Sequence, residues 1–286
     1  MSKELFDHSW RKPGLGKEGY LYLRLANKEG YTYIADNFSQ IPLKIAKPFY
    51  LDTTGQIFLY LMNPTGGMVQ GDRLYLKVTL EPGAQAFITS QAATKIYRME
   101  NGHAATTDYF ELGEGSFLEY FPDPIIPFSG ARYCSEIEVK LGKESTLFFY
   151  EMLFPGRAAK GEIFQYDFYR RRTRVFYQKE IIYYDFFDLR PRENNPYALG
   201  LFEGYPYYGQ LLIFSNQVSK NLSDHLHYLL QDTPGLIGSA TLTNKYGINV
   251  HALSLNSIQL ARALTNCWDL VRRKLVGKPI PKIRKY

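Results

Sequence analysis

The chain has 286 residues and a formal net charge of +6, with no Ser/Gly-rich or charge-rich linker to divide it, so one compact unit is expected. Its two cysteines, Cys134 and Cys267, stand far apart, which signals neither a disulfide framework nor a thiolate metal site and fits a reducing cytosol. The N-terminal stretch MSKELFDHSWRKPGLGKEG lacks an apolar signal core, and no run approaches the roughly 18 apolar residues that span a bilayer, so a soluble, cytoplasmic protein is expected.

With 24 Tyr and 19 Phe, the composition favours pleated strands and contact surfaces. In chain order, strict alternation marks strands at YLYLRLA (Tyr20 to Ala26), RLYLKVTL (Arg73 to Leu80) and EIEVKL (Glu136 to Leu141), each bounded by turn residues. A faint repeat runs through this half. DTTGQIFLYLMNP from Asp52, LEPGAQAFITSQ from Leu80, LGEGSFLEYFPDP from Leu112 and LGKESTLFFYEM from Leu141 each launch an apolar strand from a tight polar turn. The turn positions Gly55, Gly83, Gly115 and Glu144 are 28, 32 and 29 residues apart, a spacing compatible with stacked coils of a solenoid-like sheet. Ordinary hairpins in a sandwich would leave a similar trace. If the coils stack, equivalent positions lie about 4.8 Å apart, and Asn63, Gln91, Asp123 and Glu151, together with Asp72, form a lane of polar groups along one edge.

The last eighty residues change character. GQLLIFS (Gly209 to Ser215) reads as a strand, QVSKNLSDHLHYLLQ (Gln217 to Gln231) as a helix, and two short strands follow near Ala240 and Val250. A final helix carries Ile258, Ala261, Leu264, Trp268, Val271 and Leu275 at three-to-four spacing and ends at Gly277 and Pro279. The expected fold is mainly β: a solenoid-like stack over residues 1–208 and a small C-terminal α/β cap with two helices over 209–286.

The chemistry on offer is sparse. No Gly-x-x-x-x-Gly-Lys-Ser/Thr loop exists, and GLGKEGY from Gly14 has the wrong length. NPTGGMVQGD sets Gly66, Gly67 and Gly71 in a turn, but a strand rather than a helix follows, so the glycines serve positive-φ backbone rather than a dinucleotide. Asp72 closes that turn and suits backbone N–H bonds. Glu151 lies in apolar FFYEMLF and needs a partner, for which Lys95 and Arg157 are candidates, or else lines a polar passage. Glu162 and Glu180, the latter in YQKEIIYY, pose the same choice. His225 and His227 stand two apart on a helix and cannot chelate one ion, so no tight metal site is expected. Ser90 sits on no strand-to-helix elbow. The cluster Arg170, Arg171, Arg172 and Arg174 is either a charge-protected strand edge or a docking patch.

The stretch FLYLMNPTGGMVQGDRLYLKVTLEPGAQAFITSQAATKIYR (Phe58 to Arg98) resembles the signature of the UreD/UreH urease accessory family. The likeness continues in LEYFPDPIIPFSGA (Leu118 to Ala131), PGRAAKGEIF (Pro155 to Phe164), Glu180 and WDLVRRKLVGKP (Trp268 to Pro279). Where the family opens its glycine turn with His-Pro-Pro, this chain has Asn63 and Thr65, so no imidazole ligand is carried over. The resemblance implies a non-catalytic scaffold in an oligomeric complex. It would contact apo-urease, bind the helical accessory protein UreF and through it recruit the nickel-carrying GTPase UreG. The scaffold would lend an internal hydrated path lined by Asp72, Thr94, Glu151, Glu162 and Glu180, with Ni2+ as transient cargo and no cofactor held tightly. This reading expects neither nucleic acid nor membrane as partner. Two rivals stand beside it: a β-solenoid carbohydrate-active enzyme using paired acids such as Asp123 and Glu151, and a basic nucleic-acid-binding module using the arginines and stacked tyrosines.

Overall fold

A computed structural model describes residues 16–283; Gly14 and the N-terminal stretch as far as residue 15 lie outside the described residues. In chain order the elements are β1 (Glu18–Lys28), β2 (Tyr31–Gln40), β3 (Lys44–Ile45), β4 (Ile57–Met62), β5 (Arg73–Leu80), β6 (Gln85–Ser90), β7 (Thr94–Ile96), β8 (Ala104–Leu112) and β9 (Phe117–Phe121). They continue with β10 (Ile125–Pro127), β11 (Arg132–Leu141), β12 (Thr146–Leu153), β13 (Phe168–Tyr177), β14 (Glu180–Leu189), β15 (Tyr207–Phe214), α1 (Lys220–Gln231), β16 (Leu236–Leu242), β17 (Gly247–Ser254) and α2 (Ser257–Leu275).

Two sheets face each other, one ordered β14-β13-β11-β8-β5-β1-β2 and the other β16-β17-β15-β12-β9-β6-β4-β3. Between β4 and β13 the chain crosses repeatedly from one sheet to the other, so β5, β8, β11 and β13 stack in parallel on one face and β4, β6, β9 and β12 on the other. Short parallel ladders of β7, β10 and β12 fill one corner. The architecture is therefore mainly β and solenoid-like, with two helices.

The repeat has a backbone cause. Gly55, Gly83, Gly115 and Glu144 all have positive φ, from 56° to 74°, and each turn precedes a strand of the second sheet by two residues. The turns also bond to one another: Gly83 N–H donates to Glu114 O and Gly115 N–H to Lys143 O, both at 2.9 Å. Glycine occupies three of the four positions because L side chains resist this conformation.

Alternation then sorts the side chains. Between the sheets lie Leu21, Leu23, Leu59, Val78, Ile88, Phe110, Val139, Leu147 and Phe214, all fully buried or nearly so. On the other side of the second sheet, Phe58, Phe87, Phe121, Phe148, Leu211 and Ile213 meet the helices. Each such side chain contributes roughly 1.5–3 kcal/mol. β15, β17 and β16 extend the second sheet without a break, so the strands of the expected cap share a sheet with the coils, and residue 208 falls inside β15.

Helix α1 starts at Lys220 rather than Gln217, because the Ser219 hydroxyl caps it by accepting from Leu222 N. Asn256 caps α2 by accepting from the Ile258 and Gln259 N–H groups. The buried face of α2 is Leu260, Ala263, Leu264, Cys267, Trp268, Val271 and Arg272. Ile258, expected in that stripe, stands off it by two positions and is exposed. A buried polar knot fixes this helix: Glu119 accepts from Trp268 Nε1 at 2.6 Å and from Arg272 Nε at 3.2 Å, and Gln56 bonds both Glu119 and Arg272 at 2.8 Å. No helix among the described residues is long and apolar enough to cross a membrane.

Candidate functional site

A cavity of about 220 Å³ opens between the sheets. Asn63, Gly66, Gly67, Gln91, Thr94, Lys95 and Asp123 line its outer end, and Thr106, Asp108, Tyr120, Tyr133, Ser135 and Glu151 its inner end. The four residues expected in one lane, Asn63, Gln91, Asp123 and Glu151, thus meet around one space: the first three follow the ends of β4, β6 and β9, and Glu151 lies near the end of the next strand in the stack, β12.

Glu151 points inward from β12. Tyr169 O–H donates to its Oε1 at 3.0 Å and Arg171 Nη1 at 2.5 Å, while Arg171 Nη2 reaches Asp185 Oδ2 at 2.5 Å. The Arg171 side chain is 0% exposed. Burial opposes its charge, but Glu151 and the other neighbours outweigh burial and hold the guanidinium protonated. The expected partners of Glu151 are thus corrected: Arg157 is spent on Glu162, and Lys95 sits at the exposed outer end of the cavity.

Asp108 faces Glu151's end of the cavity from β8. It lines the cavity and is half-buried; burial pushes its carboxyl up to about 7, and the Tyr120 O–H, 3.4 Å from Oδ2, pulls the other way. Beside it Thr106 Oγ1 bonds Tyr133 Oη at 2.7 Å and Ser135 Oγ at 3.2 Å. Burial raises the phenols of Tyr120, Tyr133, Tyr169 and Tyr208, which keeps them neutral donors.

Past Arg171 the polar groups continue across the core. Gln210, the direct neighbour of Glu151 on β15, donates to Tyr183 Oη at 3.2 Å and Asn249 Oδ1 at 3.1 Å. His251 bonds Tyr208 Oη through Nδ1 at 2.8 Å and Asn249 through Nε2 at 2.5 Å. Burial lowers its imidazole to about 4, so the ring is neutral. A polar belt therefore crosses an otherwise apolar sandwich.

The five expected path residues do not come together. Thr94 and Glu151 line the cavity; Asp72, Glu162 and Glu180 are absent from its wall. Asp72 is buried and accepts from Lys17 N and Val69 N, both at 2.9 Å, closing the glycine turn. Glu162 takes a two-pronged bond from Arg157, which holds its carboxyl below the ordinary range, and accepts from Ser129 N at 3.4 Å. Glu180 starts β14 in solvent rather than in an apolar setting and pairs with Lys245 at 2.7 Å. Within the turn, Gly66 (φ 76°) and Gly71 (φ 85°) are left-handed, but Gly67 is not; there a Cβ would stand 2.6 Å from Tyr97 Cε2 and 2.7 Å from Lys95 O.

The arginine cluster splits by strand parity. Arg171 turns inward, whereas Arg170, Arg172 and Arg174 face outward and pair with Asp188, Glu136 and Glu138 on flanking strands. β13 is internal and β14 is the edge, so this is neither an edge guard nor an unmatched basic patch.

The sequence reading did not single out Asp108 and took Arg171 only as a member of the basic cluster, although parity marked both as inward-facing. In AATTDYFEL, Asp108 shares its face with Phe110 and Leu112; in FYRRRTRVFY, Arg171 shares its face with Tyr169 and Val175. The wall offers carboxylate, hydroxyl and carbonyl oxygens, which bind borderline divalent ions loosely. No group of three or more His, Cys, Asp or Glu among the described residues is placed to hold a metal ion.

Residues 17–285 match the family model described as UreD urease accessory protein. A protein named urease accessory protein UreD from Acetivibrio thermocellus is 34% identical over 253 residues, covering 88% of this chain and 97% of its own length. Proteins of the same name from Lachnoclostridium phytofermentans (31% identical, 94% of this chain and 98% of that protein) and Haloarcula marismortui (29%, 95% and 91%) are similar throughout. With the match running from β1 past the end of α2, the chain belongs to the UreD family of urease accessory proteins.

Proposed function

We propose that the chain is a scaffold for urease maturation that docks apo-urease and a UreF-like helical partner, and through that partner a UreG-like nickel-carrying GTPase. The family match over nearly the whole chain carries this reading. In it the chain catalyses nothing itself, works in a cytosolic oligomeric complex and holds no cofactor tightly. Two free thiols, at Cys134 and Cys267, suit that compartment.

Ni2+ is cargo in this account, and the cavity is its passage. Thr94, Asp123 and Asn63 stand at the outer end, with Asp108 and Glu151 farther in. A passage must bind weakly enough to release, and a wall of oxygens with one carboxylate already matched by Arg171 meets that need. The nucleic-acid alternative has lost its footing, because the outward arginines are neutralised by carboxylates.

The test is a pull-down with the tagged chain from cells making urease, followed by metal analysis of the urease recovered. Urease subunits, a helical protein and a GTPase should be retained together. An Asp108→Asn chain should retain them too but deliver urease with less nickel. Capture of none of these proteins would overturn the scaffold reading; full nickel loading by the variant would remove Asp108 from the passage.

A further inference from the structure

The inner end of the cavity is rich in hydrogen-bond acceptors. Thr106 Oγ1 gives its one proton to Ser135 Oγ at 3.2 Å, so the 2.7 Å bond between Thr106 and Tyr133 is one that the Tyr133 hydroxyl donates. Tyr120 gives its proton to Asp108. Three hydroxyl protons are thus spent on neighbouring protein oxygens, whereas each of these oxygens, having two lone pairs, keeps room to accept. Glu151 and Asp185 share the single charge of Arg171, which leaves that group of three net negative behind the cavity wall. Such a wall suits something that is positively charged and presents hydrogens on every side.

A bare dication does not answer that description. Stripped of water it needs several anionic or imidazole ligands at once, and no group of three or more His, Cys, Asp or Glu among the described residues is placed to supply them. Neutral hydroxyls repay little of the cost of removing its hydration. The aquated ion does answer it, because water bound to a cation turns its hydrogens outward. Six waters at about 30 Å³ each take up roughly 180 Å³. The cavity, at about 220 Å³, holds one such shell and not two.

We infer that the cavity takes a divalent cation with its water shell intact, held by hydrogen bonds from the shell to Thr106, Tyr120, Tyr133, Ser135, Asp108 and Glu151 rather than by direct bonds to the metal. The inference rests on the reading of the cavity as a cation passage and says in what form the cargo travels. Selection inside the cavity then follows charge and hydrated size, not the ligand preference that ranks nickel above manganese. The choice of nickel falls to the partner that delivers it.

Hexaamminecobalt(III) separates the two modes, because its ammines do not exchange and turn their hydrogens outward as an aqua shell does. Crystals of the full chain are soaked in nickel chloride or in hexaamminecobalt(III) chloride, and the metal is located by anomalous scattering. Each should give one peak in the cavity, about 4–5 Å from the nearest protein oxygens, as a metal–water bond of about 2.1 Å followed by a hydrogen bond of about 2.8 Å requires. Nickel about 2.1 Å from a protein oxygen, or nickel in the cavity while the cobalt complex stays out, overturns the intact shell and leaves the passage standing. Neither metal in the cavity overturns the passage, and the shell falls with it. In solution, Thr106→Val deletes one acceptor without touching a carboxylate, so the affinities for nickel and for the cobalt complex should fall together, about 3- to 10-fold. Any other pattern overturns the hold of the hydroxyl wall on the shell. Should Thr106→Val not fold, the wild-type maps still decide.

Discussion

Replacing Trp268 by alanine tests whether the C-terminal helix is part of the core or an accessory to it. The indole is 7% exposed, lies 4.3 Å from Phe121 and 5.7 Å from Phe87 between ring centroids, and donates to Glu119 at 2.6 Å. Truncating a buried tryptophan costs about 3–5 kcal/mol in packing and cavity terms. Losing a hydrogen bond to a buried carboxylate adds about 1.5–3 kcal/mol. The total rivals the whole stability of a typical domain, about 5–15 kcal/mol, so Trp268→Ala should be recovered largely as insoluble protein. Trp268→Phe keeps the ring stack and loses chiefly the hydrogen bond. At about 2 kcal/mol it should lower Tm by roughly 4–8 °C for a chain of this size. Circular dichroism melts of both variants provide the assay. A Trp268→Ala chain that melts within a few degrees of the wild type would refute the claim that α2 is held through this contact.

Gly67→Ala should destabilise although its φ is ordinary, because the new methyl meets Tyr97 and the Lys95 carbonyl; a cost of about 1–3 kcal/mol is expected by denaturant unfolding, and an unchanged midpoint would contradict the close approach. Asp108 has a folded-state value of about 7 against an ordinary 3.8, so the folded chain keeps a proton that the unfolded chain gives up. Its contribution is complete below about 4 and lost as pH rises through about 7; Asp108→Asn should therefore gain stability relative to the wild type across that window and level off above it, and a pH-independent difference between the two would show that the carboxyl is not shielded. Glu151→Gln takes from the buried Arg171 one of its two carboxylate partners and leaves Asp185; stranding a buried charge completely costs about 3–5 kcal/mol, so a loss below that range is expected, with Tm lowered more than Asp108→Asn lowers it at neutral pH.

How much of this was legible follows from what each signal measures. The turn repeat was readable because positive φ selects glycine locally, and three of four turns obeyed. The lane at the cavity followed from that register. Partner identity was not readable: Glu151 pairs with Arg171, twenty residues away in sequence and on the opposite sheet, whereas Arg157 is nearer in sequence but on a loop committed to Glu162. Glu180 shows the opposite error, since apolar neighbours in a strand predict burial only away from its ends, and Glu180 is the first residue of β14. Parity in β8 and β13 carried the two missing site residues, but polar residues at inward positions read as surface until the facing sheet is known.

The coil-by-coil stack also governs how the chain can acquire its structure. Between β4 and β13 each coil pairs with one about thirty residues away, as Gln85 with Phe117 and Phe117 with Thr146, so within that stretch no loop much longer than one coil must close before the next strand finds its place. Growth can then spread stepwise from any formed pair of coils. The antiparallel pairs β1–β2 and β13–β14 terminate one sheet at both ends, and removing either would uncover a parallel strand ready to join a second chain.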